Sequence, residues 1–349
     1  MTRGGYQDLF ETRERYEIME FELNAERKAR LVGIGSAAID ASLLGTQFKT
    51  SATAGPGAGG SSFFLSSGGH RVRLSIKPDS PLKVVPHNKG VAIVKGDEII
   101  ATGALEQPLC HCPDQAYITI SERCVFDCKY CPVPVLNGQI KSIPTILSLV
   151  KEAEKNGTLS AISLTSGVAD SPEGEVKRAV AVVRALREHY DIPIGVSVYP
   201  TVTSSEELFA AGANEIKYNV ETMDREIFAR VCPDLSLPAI LEALEHAVTI
   251  FGKNHVTSNF ILGLGESDEV VESGMEELAR RGVIPILRPI SPSPLRKGQI
   301  AVERPSGDRL LRLSRRHREI LDRYGLDTRL AQTMCLPCTG CDLTPQRDV

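Results

Sequence analysis

The sequence predicts an α/β chain built on a partial (β/α)6 barrel, with an N-terminal β-rich appendage and a Cys-rich C-terminal tail. From Tyr117 onward, apolar β-rich runs alternate with amphipathic helical stretches, which is the pattern of parallel βαβ units. Six such repeats follow one another, short of the roughly eight that close a full barrel. Eight of the nine cysteines stand in three tight groups: Cys110 and Cys112; Cys124, Cys128 and Cys131; and Cys335, Cys338 and Cys341. Disulfide frameworks of small secreted domains spread their cysteines through much shorter chains, so this spacing points to metal clusters.

Residues 1–113 are read as the appendage. They open on a charged, helix-like stretch, pass through a Gly/Ser/Ala segment at 51–69, and continue in the short β-like runs RVRLSI (71–76), GVAIV (90–94) and EIIATG (98–103). The run GPGAGG at 55–60 formally fits G-x-G-x-x-G, yet no apolar strand precedes it and no helix follows. A flexible loop is the simpler reading, and a backbone surface closing over a bulky cofactor is the alternative. Residues 114–330 are read as the barrel. Its strands are YITIS (117–121), AISLTS (161–166), IGVSVY (194–199), EIKYNV (215–220), TSNFILGL (257–264) and IPILRPI (284–290), separated by helical stretches such as LPAILEALEHAVTIFG. A last helix at 306–325 closes the domain, and its stretch RLSRRHRE reads as a solvated face. Residues 331–349 form the tail. The chemistry of such a barrel sits at the C-terminal ends of its strands.

Bulk composition excludes several function classes. The 349 residues are 42% hydrophobic and 24% charged with a net charge of −4, which fits neither a disordered chain nor a protein that coats nucleic acid. No uncharged apolar run approaches the roughly 20 residues of a membrane span, and the charged N-terminus is unlike a signal peptide, so a cytoplasmic protein is expected.

The segment CVFDCKYC sets three thiolates at C-x3-C-x2-C in the loop after the first barrel strand. Three ligands on a four-iron cluster leave one iron open to a chelator, whereas a ferredoxin or zinc site wants a fourth Cys or His, and none follows in this loop. The tail CLPCTGC repeats the theme at C-x2-C-x2-C, with Cys110 or Cys112 available as a fourth ligand. A complete set suits an auxiliary iron–sulfur cluster, a single iron or a structural zinc. His111 is another candidate ligand, read more simply as an exposed turn histidine, and Cys232 reads as a small apolar residue.

The CVFDCKYC motif, with aromatic Tyr130 before its last cysteine, resembles radical S-adenosylmethionine (SAM) enzymes. The resemblance covers about residues 115–330 and is nearest the biotin- and lipoyl-synthase-like branch. It implies a [4Fe–4S] cluster on Cys124, Cys128 and Cys131, SAM chelated to the open iron, and one-electron cleavage of SAM to a 5′-deoxyadenosyl radical. YNVET (218–222), followed by FARVCP, resembles the family stretch facing SAM and carries over Asn219 and Glu221. SNFILGLGE (258–266) resembles the fifth-strand glycine motif and brings Gly263, Gly265 and Glu266. TSGVAD stands where the family has Gly-Gly-Glu, which gives Thr165, Ser166 and Gly167. Ser197 and Tyr199 end the third strand, and Arg288 on the sixth is placed to pair a carboxylate. No side chain is assigned a catalytic step.

The similarity to archaeal biotin-synthase-related proteins implies, as the favoured expectation, cobalamin-dependent C-methylation of a protein residue, the glutamine of methyl-coenzyme M reductase. The usual B12 motif Asp-x-His-x-x-Gly is absent from the sequence, so cobalamin would lie between barrel mouth and glycine-rich appendage without a histidine ligand. On this reading the second thiol set is a structural clip. Sulfur insertion of the lipoyl-synthase kind is the alternative, with that set holding the sulfur donor. A non-enzymatic iron–sulfur electron carrier or zinc-stabilised binding protein is a third reading. The expected partners are a protein or peptide substrate and an electron donor such as ferredoxin or flavodoxin.

Overall fold

The computed structural model describes residues 21–51 and 58–349; the charged opening and Gly55, Pro56 and Gly57 of the glycine-rich run lie outside the described residues. Helix α1 (Ala25–Ile34) starts on an Asn24 cap and ends at Gly35, whose φ of 74° favours glycine. Seven strands follow: β1 (Ser36–Ile39), β2 (Thr50–Ser51), β3 (Ser61–Ser67), β4 (His70–Ile76), β5 (Lys83–His87), β6 (Gly90–Lys95) and β7 (Glu98–Glu106). Their order is β2-β3-β4-β1-β5-β6-β7, and β7 pairs antiparallel with β3 as well, so all but β2 close into a small barrel. The stretch at 51–69 therefore contains a strand where its serines and glycines pointed to loop. Period two explains why: Phe63 and Leu65 join the main core, while Phe64 turns the other way to pack with Cys112 and Cys338.

The second sheet is the expected partial barrel. Strands β8 (Gln115–Thr119), β9 (Ala161–Thr165), β10 (Ile194–Ser197), β11 (Glu215–Lys217), β12 (Val256–Leu262) and β13 (Ile284–Pro289) lie in chain order and pair in parallel throughout. Helices α2 (Ile143–Asn156), α3 (Pro172–Arg187), α4 (Ser204–Ala211), α5 (Arg225–Val231), α6 (Leu237–Phe251), α7 (Asp268–Arg280) and α8 (Gly307–Tyr324) separate and follow the strands. Ser142, Ser171, Ser236, Ser267 and Ser306 cap the longer ones with their hydroxyls, each answering an orphan N–H of the first turn. Apolar side chains at helical spacing, Ile240, Leu244, Ala247 and Phe251 on α6 for example, are buried in the core, and each large one contributes about 1.5–3 kcal/mol. On α8 the arginines of RLSRRHRE are half to well exposed, as expected, but His317 lies on the buried stripe with Leu310, Leu313 and Ile320.

Strand alternation decides what faces the barrel interior. Lys217 and Asn219 line a central cavity, while between them Tyr218 points outward and its hydroxyl meets Ser204 at 2.7 Å and Ser205 at 3.1 Å. The opposite, N-terminal end of the barrel is closed by the tail. Gln332 and Thr333 donate their backbone N–H groups to Glu215, the first residue of β11, at 2.7 and 2.9 Å. Met334 N donates to Gln115, the first residue of β8, and to Ser163 on β9, both at 2.8 Å. Any side chain at Gly195 on β10 would collide with Thr333, so the plug demands glycine there.

Candidate functional site

The loop after β8, which carries the first thiol set, is fastened to its neighbours on every side. Val125 N donates to Val168 O at 2.7 Å, and Val168 N to the Cys124 sulfur at 3.4 Å. Lys129 N donates to Val231 O at 2.8 Å, and Asp127 N to the Asp234 carboxylate at 2.7 Å. From the loop after β13, the buried Arg296 donates Nε to the Cys131 carbonyl at 2.6 Å and pairs with Asp127 at 2.7 Å. That one guanidinium bridges the ends of the first and sixth strands.

Cys124, Cys128 and Cys131 all line the cavity. Burial pushes the thiols of Cys124 and Cys131 up, the latter to about 12, and the neighbouring Cys232 thiol together with burial pushes Cys128 up further. A metal must displace these protons to bind. Cys232 is buried as expected, and it also stands within hydrogen-bonding reach of Cys128 and 3.9 Å from Tyr130 Oη.

Thr165, Ser166 and Gly167 also line the cavity. A Cβ at Gly167 would collide with the Arg123 carbonyl, so the cysteine loop passes there only over glycine. Ser166 Oγ accepts from Ser121 N at 2.9 Å and donates to Glu175 at 2.5 Å. Glu175 went unremarked in the sequence, yet this buried carboxylate also accepts from Ser121 Oγ at 2.8 Å, from Ala169 N at 3.2 Å and from Arg178 at 2.6 Å. It ties the loops after β8 and β9 together. Its one sequence signal is an acidic residue in the first turn of a serine-capped helix.

Ser197 and Tyr199 reach the same space, Tyr199 with its ring edge-on to Phe126 of the cysteine loop at 4.9 Å. Asn219 Oδ1 accepts from Asn259 N at 3.2 Å. Glu221 has a φ of 61°, a conformation non-glycine residues seldom take outside functional sites. Burial raises its carboxyl to about 7 against the hydrogen bonds of Tyr130 and Asn219. The cavity holds about 590 Å³, within the range of about 300–1,000 Å³ typical of small-molecule sites.

The glycine motif of the fifth strand turns out differently. Gly263, Gly265 and Glu266 do not line this cavity. The Glu266 carboxylate accepts from Gly263 N and Leu264 N at 2.8 Å each and pairs with Arg309 at 3.2 Å, so it shapes its own turn. A side chain at Gly263 would meet the Glu303 carbonyl.

The second thiol set was expected as a structural clip, and its cysteines face the central cavity. Cys112, Cys335, Cys338 and Cys341 line the very cavity that Cys124, Cys128 and Cys131 line, because the tail enters the barrel from below. Cys112 donates its S–H to Cys338 at 3.4 Å, which holds the Cys338 thiol down at about 7 and its own well up. Cys110 lines the cavity as well, but its thiol turns to the Tyr117 carbonyl at 3.9 Å. Of the two candidates for a fourth ligand, Cys112 is the one grouped with the tail. Arg288 lines the cavity and pairs with a carboxylate, that of Asp342 in the tail, at 3.1 Å. His111 is half-buried, lines the cavity, accepts or donates through Nδ1 at Ser51 O (3.1 Å) and is driven down to about 3 by burial, so it is not the exposed turn histidine expected. Lys217 beside Cys335 and Glu221 beside Tyr130 both line this lumen, with Asn219 between them in the chain.

Comparison with known proteins agrees with this geometry. The model of the radical SAM superfamily matches residues 118–278. The chain is 30% identical over 159 residues to the bacteriochlorophyllide c C-7(1)-hydroxylase of Chlorobaculum limnaeum, covering 42% of this chain and 40% of that protein. It is 26% identical over 169 residues to the lipoyl synthase of Thermus thermophilus, covering 47% and 52%. The chain thus spans about half the length of these relatives or less. A radical SAM methyltransferase structure from Sphaerobacter thermophilus superposes with a TM-score of 0.47 at 16% identity, covering 76% of this chain and 71% of that one. Residues 118–278 form a radical SAM superfamily domain.

Proposed function

We propose that this radical SAM enzyme inserts sulfur into an unactivated C–H bond, with Cys112, Cys335, Cys338 and Cys341 holding a second iron–sulfur cluster as the sulfur source. The observation that carries this reading is the shared lumen: both thiol sets line one cavity, at opposite ends of the barrel strands. A merely structural site has no need to face the substrate space. The cobalamin-dependent methylation expected above assigned these thiols to a clip, and it yields here for that reason.

The donor set is four thiols, two of them already in contact at Cys112 and Cys338, which would have to spread on taking up a cluster. A tetrahedral zinc about 2.3 Å from each thiolate needs its sulfurs within roughly 4 Å of one another. Cys112 and Cys338 approach that spacing, but among the described residues no three such side chains converge to hold one ion. When bound, SAM and the first cluster supply the hydrogen-abstracting radical, and the second cluster supplies the sulfide that the carbon takes up. The protein's part is to orient and to exclude water. Asn219 and Glu221 line the lumen that holds both thiol sets and would orient SAM there, and the plug at Gln332–Met334 shuts the far end. The similarity to a lipoyl synthase supports the same reaction class. The substrate is an aliphatic chain presented by a protein or peptide, and the electron comes from a ferredoxin or flavodoxin.

Anaerobic reconstitution followed by iron, sulfide and corrinoid analysis tests the proposal. Wild-type protein is expected to hold two clusters' worth of iron and sulfide, and Cys338→Ala one, while still cleaving SAM. A product that gains methyl mass, or an iron content indifferent to Cys338→Ala, would overturn it.

A further inference from the structure

Lys217 sits inside the barrel on β11, 3% exposed. Its ammonium lies 3.3 Å from Tyr117 Oη and 3.6 Å from Cys335 Sγ, with the Tyr117 ring centre at 5.9 Å. No carboxylate forms an ion pair with it among the described residues. Buried charges are normally paired, and an ammonium sealed in with a phenol and a thiol is costly unless something anionic completes its surroundings. Three other cations stand nearby: Arg73, 4.0 Å from Cys341 Sγ with a buried Nε lacking a partner; Arg288, which is paired with Asp342; and Arg304, which lines the same cavity and donates to the carbonyls of Val32 and Ile290. One carboxylate among these four cations leaves the surroundings of the thiols net positive, which suits the net negative charge of a thiolate-bound iron–sulfur cluster.

We infer that Lys217 is the positioning residue of the second cluster, holding its Cys335 corner toward the SAM end of the lumen and raising its reduction potential. The inference rests on the sulfur-insertion reading. A ligating sulfur carries no proton, so the hydrogen bond at Cys335 must come from the Lys217 ammonium. Hydrogen bonds and positive charge at a cluster sulfur favour the reduced state. That matters for the chemistry proposed: when a carbon radical bonds to a sulfide, the radical electron and one sulfide electron make the C–S bond, and the other sulfide electron passes to iron. An easily reduced cluster favours the step. Lys217, Asn219 and Glu221 share one face of the chain, so the corner fixed by Lys217 looks up the lumen toward the first thiol set.

The test uses the full chain with Lys217→Met and Lys217→Arg, each also in a Cys124→Ala background where the second cluster is the one observed. Redox titration followed by electron paramagnetic resonance should show a potential shifted negative in Lys217→Met and restored in Lys217→Arg. Thermal unfolding of the metal-free proteins supplies a readout that a packing role would not reproduce. Without a cluster the ammonium lacks its anion, so metal-free Lys217→Met should unfold at or above the wild-type temperature, while the reconstituted variant loses cluster sulfide faster than wild type. An unchanged potential, or destabilisation of metal-free Lys217→Met, would sink the inference while leaving sulfur insertion standing. Wild-type protein that reconstitutes with iron for one cluster would instead bring down both.

Discussion

The tail that carries the second thiol set is latched by a contact between the two ends of the chain. Lys28 on α1 is fully buried, and its Nζ pairs with Asp348 at 2.6 Å and donates to Thr339 O at 2.7 Å. Asp348 has further partners, His70 Nδ1 at 2.9 Å and Thr344 N at 2.8 Å. Breaking a buried pair costs about 3–5 kcal/mol because one charge is stranded. Lys28→Met leaves Asp348 with two partners and should fall at the low end, about 3 kcal/mol. Asp348→Asn leaves a fully buried ammonium with a carbonyl and an amide, and should fall near the high end, about 5 kcal/mol. The double variant should cost less than the sum, since each change removes what the other strands. Urea denaturation of the metal-free variants under reducing conditions measures all three, and iron analysis after reconstitution reports whether the tail still delivers Cys335, Cys338 and Cys341. The reasoning fails if both single variants lie within about 0.5 kcal/mol of wild type, or if the double is additive.

Other consequences follow from single residues. Cys124→Ala, Cys128→Ala or Cys131→Ala should abolish SAM cleavage with the fold retained; 5′-deoxyadenosine formed at the wild-type rate by any of them would contradict the site. Gly167→Ala should push the cysteine loop off the Arg123 carbonyl, at an overpacking cost of about 1–3 kcal/mol, and be seen as faster loss of iron from the first cluster; undiminished retention would refute the close approach. His317 is buried with neither ring nitrogen hydrogen-bonded among the described residues, and burial drives it down to about 3. Between that value and the unfolded value of about 6.5 the unfolded chain binds a proton that the folded chain refuses, so stability is full above about pH 6.5 and falls on acidification, by about 2 kcal/mol at pH 5. His317→Phe should flatten that acid limb in urea midpoints taken from pH 7 to pH 5, and an identical pH slope in the variant would show that His317 does not cause it.

Much of the barrel was legible because its signals are local. Alternation in EIKYNV, helical spacing in LPAILEALEHAVTIFG and a serine before each longer helix are all written within a few residues of where they act. His317 was legible too, since it falls one turn from Leu313 on the buried stripe, but the arginines around it dominate the composition of that run. Strand β3 was hidden for a different reason: serines flank a short apolar triplet, whose two faces are buried only in the folded chain, Phe63 and Leu65 in the main core and Phe64 against Cys112 and Cys338.

The sequence alone determined the first cysteine loop, the order of the parallel strands and the residue types at their ends, because each depends on neighbours in the chain. It did not determine where the second thiol set stands. That was decided by contacts across the whole length of the molecule, such as Lys28 with Asp348, Glu215 with Thr333 and Phe64 with Cys338. These thread the tail into the N-terminal end of the barrel and turn its cysteines toward the lumen. No local pattern encodes such a path, since a charge, a carboxylate or a glycine such as Gly195 looks the same in sequence whether it faces solvent or receives a strand of tail. The burial that gives each its meaning exists only after the fold has formed.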